Sequence, residues 1–415
     1  MRGARKGPVD RMYSFLTGLS CPRCGQWVPA DHLTNLCGCG SPLLAAYDLE
    51  AAAREFPRAA LARRAPTLWR YHEVLPVRDP AHVVTLGEGM TPLLPLPRAG
   101  AAIGLQDLWL KDEGLNPTGT FKARGAAVGV SRAWELGARA LAMPTAGNAG
   151  GAWAAYAARA GLPLDVVMPA DAPAVNMREA AVCGARTHLV RGLISDAGAM
   201  VGRFVAGGVA FDCSTLKEPY RVEGKKTMGY EILEQFGWEP PSAIIYPAGG
   251  GVGVIGVWKA LGEMRSLGWL RGPAPRLVVV QAEGCRPIVE AWRAGVDDVD
   301  FWQGAATAAA GLRVPRPLGG ALTLRALRET GGTALAVSDA ELLAAMRHLA
   351  EAEGIWACPE GAAGLAAAER LRAEGFFTAA DRVVVLNTGC GLKYPDLVAA
   401  ELPLLGPTDD LPARR

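Results

Sequence analysis

The sequence predicts an α/β protein organised on mainly parallel sheet, with a small cysteine-rich segment ahead of it. Three observations carry the prediction. Short apolar runs alternate with longer Ala-rich helical stretches along most of the 415 residues, the pattern of strand, loop and helix in repetition. Three of those runs end in glycine-rich loops. Four of the nine cysteines gather between Cys21 and Cys39. The chain is also too long for one ordinary core, since domains usually hold about 100–200 residues, so two or three are expected.

Taken in order, the elements begin with Cys21-Pro-Arg-Cys24 and Cys37-Gly-Cys39-Gly40. Two facing cysteine pairs present four thiolates to a tetrahedral Zn2+, and the metal would hold together a segment too small to fold alone. His32 stands nearby and could substitute as a ligand, but a surface position is the preferred reading. Leu49 to Tyr71 reads as a charged, Ala- and Arg-rich helix or linker. Strands are expected at Asp107–Lys111, Ala138–Met143, Leu164–Met168, Val209–Asp212, Ala243–Tyr246, Leu277–Gln281 and Val383–Leu386. Ser338-Asp339-Ala340-Glu341 is a capping box for a helix running towards Glu353, with Gly354 as its stop.

Composition narrows the classes of function. Lys+Arg 43 against Asp+Glu 41 gives a nearly neutral chain, and residues 1–75 carry only ten basic against six acidic side chains. Neither is the basic footprint of a nucleic-acid binder. No apolar run reaches the roughly 18–20 residues of a membrane helix, and Met12 to Leu19 is short for an export signal. The remaining cysteines, Cys183, Cys213, Cys285, Cys358 and Cys390, are scattered without pairing logic. A reducing cytoplasm is the expected location.

The chemistry is expected at the three loops: Thr145-Ala146-Gly147-Asn148-Ala149-Gly150-Gly151, Gly249-Gly250-Gly251-Val252-Gly253 and Thr388-Gly389-Cys390-Gly391. Each follows an expected strand and is expected to open a helix. Ligands bind at the carboxyl edge of a parallel sheet, and uncovered amides at a helix start suit an anion such as phosphate. The second loop best fits a phosphate cradle, with its helix expected from about Val254. A dinucleotide fingerprint is the rival, because Gly251-Val252-Gly253-Val254-Ile255-Gly256 has the spacing. It ranks lower because the first acidic residue closing the next strand, Glu283, comes about 30 residues on, not about 20.

The segment from Lys111 to Gly125, Lys-Asp-Glu-Gly-Leu-Asn-Pro-Thr-Gly-Thr-Phe-Lys-Ala-Arg-Gly, resembles the lysine motif of the tryptophan-synthase-like, fold-type-II pyridoxal-phosphate enzymes. Three further stretches are similar to threonine-synthase signatures in the same order: Leu86-Gly87-Glu88-Gly89-Met90-Thr91-Pro92-Leu93, Pro219 to Thr227, and Thr388-Gly389-Cys390-Gly391-Leu392-Lys393. An N-terminal cysteine ribbon also occurs in some threonine synthases. The resemblance runs from about Leu86 to Pro395.

That resemblance implies two three-layer α/β/α domains behind a zinc-ribbon-like segment. The expected division is 1–48 for the ribbon, 49–119 for a linker and the first part of a large domain, 120–222 for a small mobile domain, 223–405 for the rest of the large domain, and 406–415 for a tail. It implies pyridoxal 5'-phosphate as cofactor and conversion of O-phospho-L-homoserine and water into L-threonine and phosphate. Lys122 is the implied Schiff-base lysine and mover of protons. Asn148 is placed at the ring hydroxyl, Gly249, Gly250, Gly251, Val252 and Gly253 around the phosphate, and Thr388 at the pyridine nitrogen. Thr145, Ala146 and Gly147 would receive the substrate carboxylate. Lys111, Asn116, Arg124, Arg221 and Lys225 are further substrate-binding candidates, the four cations as a second anion site. A homodimer is expected, with a small amino-acid substrate and no nucleic-acid or membrane partner.

The sequence departs from the threonine-synthase pattern in three places. Ala123 stands where Asp is usual, Ser214-Thr215-Leu216-Lys217-Glu218 replaces Asn-Ser-x-Asn, and Thr145-Ala146 replaces a Ser-rich pair. These keep open a threonine or serine dehydratase and a cysteate-synthase-like β-replacement enzyme. A ribbon fused to a degenerate fold acting as an adaptor is disfavoured by the intact Lys122 and glycine loops.

Overall fold

Three sheets organise the chain in the computed structural model, which describes residues 12–398, 402, 404–409 and 411. The basic Arg2, Arg5 and Lys6 and the end of the expected tail lie outside the described residues. At the N-terminus, β1 (Leu16–Ser20) pairs antiparallel with β2 (Trp27–Val28) and β3 (Leu44–Tyr47). The stretch expected as one charged helix or linker is broken up. Asp48 caps a short α1 (Leu49–Glu55), accepting from Ala51 N–H, and Pro57 follows its end. Tight 3-10 turns at Arg58–Arg63 and Leu68–Val74 come next.

After β4 (Leu93–Pro95), α2 (Pro97–Ile103) and β5 (Asp107–Asp112), the chain leaves to build a second sheet. It runs through α3 (Lys122–Glu135), β6 (Leu141–Pro144), α4 (Ala149–Ala160), β7 (Leu164–Pro169), α5 (Ala174–Val182), β8 (Arg186–Val190), α6 (Ile194–Ala206) and β9 (Phe211–Asp212). It then returns as α7 (Arg221–Gln235), β10 (Ala243–Pro247), α8 (Val252–Ser266), β11 (Arg276–Ala282), α9 (Pro287–Ala294), α10 (Gly320–Glu329), β12 (Thr333–Val337), α11 (Asp339–Glu353), α12 (Pro359–Ala373) and β13 (Arg382–Asn387). The capping box at Ser338 and the left-handed stop at Gly354 form as expected.

The larger sheet has the order β12-β11-β10-β13-β5-β4, parallel except for β4, and the smaller, all parallel, has the order β8-β7-β6-β9. Alternation along the strands makes three layers of each. Ile244, Val279, Val384 and Leu386 pack with α7 to α10, while Ile245, Val278, Val280, Val383 and Val385 pack with α2, α11 and α12. In the smaller sheet, Leu141, Met143, Val166 and Met168 face α3, α4 and α5, and Ala142 and Val167 face α6.

The N-terminal ribbon is tied to both parts. Arg132 Nη2 donates to Ala30 C=O at 2.7 Å and Asn35 Nδ2 to Asp212 C=O at 2.8 Å, while Tyr47 OH donates to Glu223 at 2.9 Å. The loops after β6, β10 and β13 lie at the carboxyl ends of their strands, as a ligand site on this architecture requires.

Candidate active site

Lys122 opens α3 directly after a backbone zipper. Gly119 takes φ +65°, which suits glycine, and Thr120 bridges Gly389. Cys390 N–H donates to Gly119 C=O at 2.9 Å, and Phe121 N–H to Thr388 C=O at 3.1 Å. The lysine loop is thus fixed to the exit of β13. Lys122 Nζ sits 4.0 Å from the Phe121 ring centre. The residue is half-buried, and desolvation pulls its pKa down to about 8 against the partial support of Glu360.

The second glycine loop is close-packed where it must be. A Cβ on Gly249 would collide with Gly311 C=O, one on Gly253 with the Tyr246 hydroxyl, and one on Gly251 with Thr323. Gly250 faces open space, and Gly251 takes φ +80°. Helix α8 starts at Val252, two positions before the expected Val254, and its first described internal bond runs from Ile255 N–H to Gly251 C=O. The Val252 and Gly253 amides are left for an anion. The third glycine of the rival dinucleotide spacing, Gly256, instead lies against the Lys226 backbone, where it brings α7 and α8 together.

Asn148 precedes α4, with Nδ2 3.4 Å from the Tyr394 oxygen and Oδ1 buried without a partner among the described residues. In the same loop, Thr145 N–H bonds Val167 C=O and Gly147 N–H bonds Thr145 Oγ1. Ala146 N–H is the one of the three expected amides with no bond among the described residues. The Thr388 hydroxyl lies 3.6 Å from Cys358 Sγ, and the third loop opens only a 3-10 turn, Gly391–Lys393, where a helix was expected.

The expected substrate-binding cations separate into two groups. Lys111 Nζ donates to Thr91 C=O, Glu231 and Gln235 at 2.7, 2.8 and 2.9 Å. Arg124 donates to Glu113 through Nε and Nη2 and to Glu231 and Thr227 through Nη1, with Nη2 reaching Glu231 and Thr91 as well. Both are fully buried, and every proton they carry is committed inside the protein. Neither has one to offer a substrate anion. Asn116 belongs to the same framework, bonding Glu113 and accepting from Gly89 N–H.

Arg221 and Lys225 behave differently. Arg221 is held by Glu218, Thr215 and Cys213 C=O, with its guanidinium 4.7 Å from the Trp153 ring centre. Lys225 Nζ is 4.9 Å from the Phe121 ring and, among the described residues, has no hydrogen-bond partner. Burial, and then the neighbouring Lys122, hold its pKa well below the ordinary lysine range. The departures from the family pattern also find places. Ala123 is fully buried in an apolar cluster, and the 214–218 segment forms the collar around Arg221.

The sequence reading missed Cys358, Glu360, Tyr246 and Tyr394. Glu360 and Tyr394 meet the site from α12 and the C-terminal segment. Tyr246 OH is buried beneath Gly253 without a partner among the described residues. Tyr394 directly follows the Thr388–Lys393 motif, the one signal that pointed its way.

In the ribbon, the Sγ atoms of Cys21, Cys24, Cys37 and Cys39 all lie within 4.8 Å of one another, with 3.5 Å between Cys21 and Cys39 and 3.6 Å between Cys24 and Cys37. A tetrahedron of thiolates with Zn–S of about 2.3 Å has S–S edges of about 3.8 Å, so the set fits. His32 is exposed and outside it.

A lysine, a glycine cradle, a polar loop and a hydroxyl converge at adjoining loop ends, and the open face at Gly250 fits a phosphate-bearing ring. Over residues 84–389 the chain matches the family described as pyridoxal-phosphate dependent enzyme, and it belongs to that family. Its relatives sharpen the class. A threonine synthase of Methanocaldococcus jannaschii is 35% identical over 387 residues, 92% of this chain and 95% of that protein. One from Methanosarcina acetivorans is 36% identical over 383 residues, 92% and 93% of the two chains. Among solved structures, maize serine racemase aligns with TM-score 0.65 at 24% identity over 73% of this chain and 88% of its own. The processed form of threonine deaminase isoform 2 from Solanum lycopersicum gives 0.64 at 18% over 77% and 89%. At these identities the structural likeness is one of fold.

Proposed function

We propose that the chain is a pyridoxal-phosphate dependent lyase with threonine-synthase activity, converting O-phospho-L-homoserine and water into L-threonine and phosphate. The observation that carries this reading is Lys122, an amine drawn down to about 8 at the junction of the three loops, in a chain 35% identical to a threonine synthase over 92% of its length. When bound, pyridoxal phosphate supplies an electron sink for the carbanion formed beside the substrate amine.

The chain's own residues do the rest. Lys122 Nζ, neutral in a useful fraction near neutral pH, takes and returns protons at the substrate Cα and Cβ. The amides of Val252 and Gly253 would hold the cofactor phosphate, and the Thr388 hydroxyl would serve the ring nitrogen as a neutral partner. Ala146 N–H receives the substrate carboxylate. Arg221 and Lys225 receive the γ-phosphate, where a guanidinium fork and a point charge complement one another.

The test is parallel incubation with O-phosphohomoserine, threonine, serine and phosphoserine. Phosphate and threonine from the first are expected. Ammonia and a keto acid from threonine or serine would overturn the choice in favour of a dehydratase, whose wording Phe121-Lys122-Ala123-Arg124-Gly125-Ala126 also resembles. Sulfite-dependent replacement on phosphoserine would point to the collar at 214–218 as the determinant.

The same reading includes Zn2+ on Cys21, Cys24, Cys37 and Cys39, tested by elemental analysis of unchelated protein. It also includes a homodimer working in the cytoplasm, without nucleic-acid or membrane partners. All nine cysteines are free, which suits a reducing location. Among the described residues no helix is long and apolar enough to cross a membrane.

A further inference from the structure

Asn148 is held from behind by a short chain of hydrogen bonds that no part of the proposed reaction uses. Its Nδ2 lies 3.4 Å from the Tyr394 oxygen. Tyr394 donates its proton to Glu360 Oε1 at 2.7 Å, and the same oxygen accepts Gly311 N–H at 2.7 Å. Tyr394 and Glu360 are 8% and 6% exposed, so water competes little for these bonds. Four distant stretches meet here: the loop before α4, the turn Ala310–Leu312, the start of α12, and the segment after β13.

A phenol has one proton. With that proton on the Glu360 carboxylate, the Tyr394 oxygen is an acceptor towards Asn148, and the group facing it must be N–H. Inverting the amide would set Oδ1 against the phenol oxygen, two acceptors with no proton between them in buried surroundings. Oδ1 itself has no partner among the described residues, so the Tyr394 contact is what decides the orientation.

We propose that Tyr394 and Glu360 form an orientation lock on the Asn148 carboxamide, keeping Nδ2 as the donor that Asn148 presents to the cofactor. This rests on the reading of Asn148 as the residue beside the ring hydroxyl. Nδ2 carries two protons. Tyr394 receives one, and the other is available to the ring oxygen. A ring oxygen that accepts this bond is stabilised in its ionised form, whereas one facing an amide oxygen is favoured as the neutral hydroxyl. Tyr394 is therefore a positioning residue, acting through Asn148.

The two forms of the ring absorb at different wavelengths, the ionised form at the longer, which gives a readout other than turnover. Wild type, Tyr394→Phe, Glu360→Gln and Lys393→Ala are loaded with pyridoxal phosphate and their spectra recorded at one neutral pH. The longer-wavelength form should dominate in wild type. Tyr394→Phe, which keeps the ring and removes only the hydroxyl, should raise the short-to-long ratio several-fold, and Glu360→Gln should move it the same way. Lys393→Ala cuts the neighbouring ion pair to Glu179, 2.6 Å long, and should leave the ratio as in wild type. A wild-type ratio retained in Tyr394→Phe overturns the lock. An equal shift in Lys393→Ala also overturns it, because displacement of the segment would then be the cause. A wild type with no cofactor band at all sinks the cofactor reading itself, and the lock loses its object with it.

Discussion

Two buried clusters of cations lie side by side, one around Lys111 and Arg124 and one around Lys122, Arg221 and Lys225, and they are built on opposite electrostatic terms. In the first, two carboxylates answer two cations. Glu231 is raised by desolvation but drawn down to about 2 by Arg124 and Lys111, and all protons on the cations are matched. In the second, Arg221 has Glu218 at 3.2 Å, while neither Lys122 nor Lys225 has a hydrogen-bond partner among the described residues. Residue type does not tell a framework cation from a site cation. The carboxylates around it do: a matched cluster holds helices together, and an under-matched one is set to receive an anion or exchange a proton.

The sharpest way to break that contrast is at Lys122. Lys122→Ala should lower turnover by about 10³-fold or more and abolish the lysine-dependent visible band, whereas a chain that keeps both would erase the distinction. On the framework side, Glu231→Ala leaves Lys111 and Arg124 without their shared carboxylate and should cost about 3–5 kcal/mol in denaturant unfolding. The sign with pH follows from the depressed carboxyl. Its stabilisation is present above the unfolded value of about 4.3 and is lost as pH falls from there towards about 2. An acid-unfolding profile that does not change in the variant would contradict this.

A smaller effect is expected at Lys225. Lys225→Met should raise KM for the phosphate-bearing substrate about tenfold with unchanged or slightly higher unfolding stability, because it removes a buried amine that has no hydrogen-bond partner among the described residues. A large stability loss would move Lys225 into the framework class. The mildest effect concerns pH. The rate at which apoprotein takes up cofactor should rise with pH as the Lys122 ammonium loses its proton and level off above about 8, and a flat profile across that range would mean that the amine is not desolvated.

Much of the site was legible because its motifs are local. Lys122, Asn148, Thr388 and the glycine loop each sit inside a short run whose wording carries their proposed role, and the strands beneath them are continuous apolar runs such as Val383–Leu386. The other elements lacked that signal. Strand β8 has both faces largely exposed at Arg186, His188 and Leu189, so no apolar alternation marks it, and Ala-rich β12 reads as readily as helix. The role of Lys111 and Arg124 depended on Glu113 and Glu231, which meet only after β5 and α7 pack. The Glu360–Tyr394 pair likewise joins two elements whose proximity no spacing encodes.

The position of β13 has a consequence for the making of the protein. Although it is the last strand in chain order among the described residues, it lies inside the larger sheet between β10 and β5. The strands of the smaller sheet are complete by Asp212, so that sheet is free to form while the rest is still being synthesised. The larger sheet stays divided until the chain has passed Asn387, and the zipper that fixes Lys122 to the residues after β13 waits with it. A nascent chain stopped before Arg382 is expected to carry a protease-resistant smaller unit beside an unfinished larger one, and to gain the power to retain cofactor only once β13 and the residues that follow it are added.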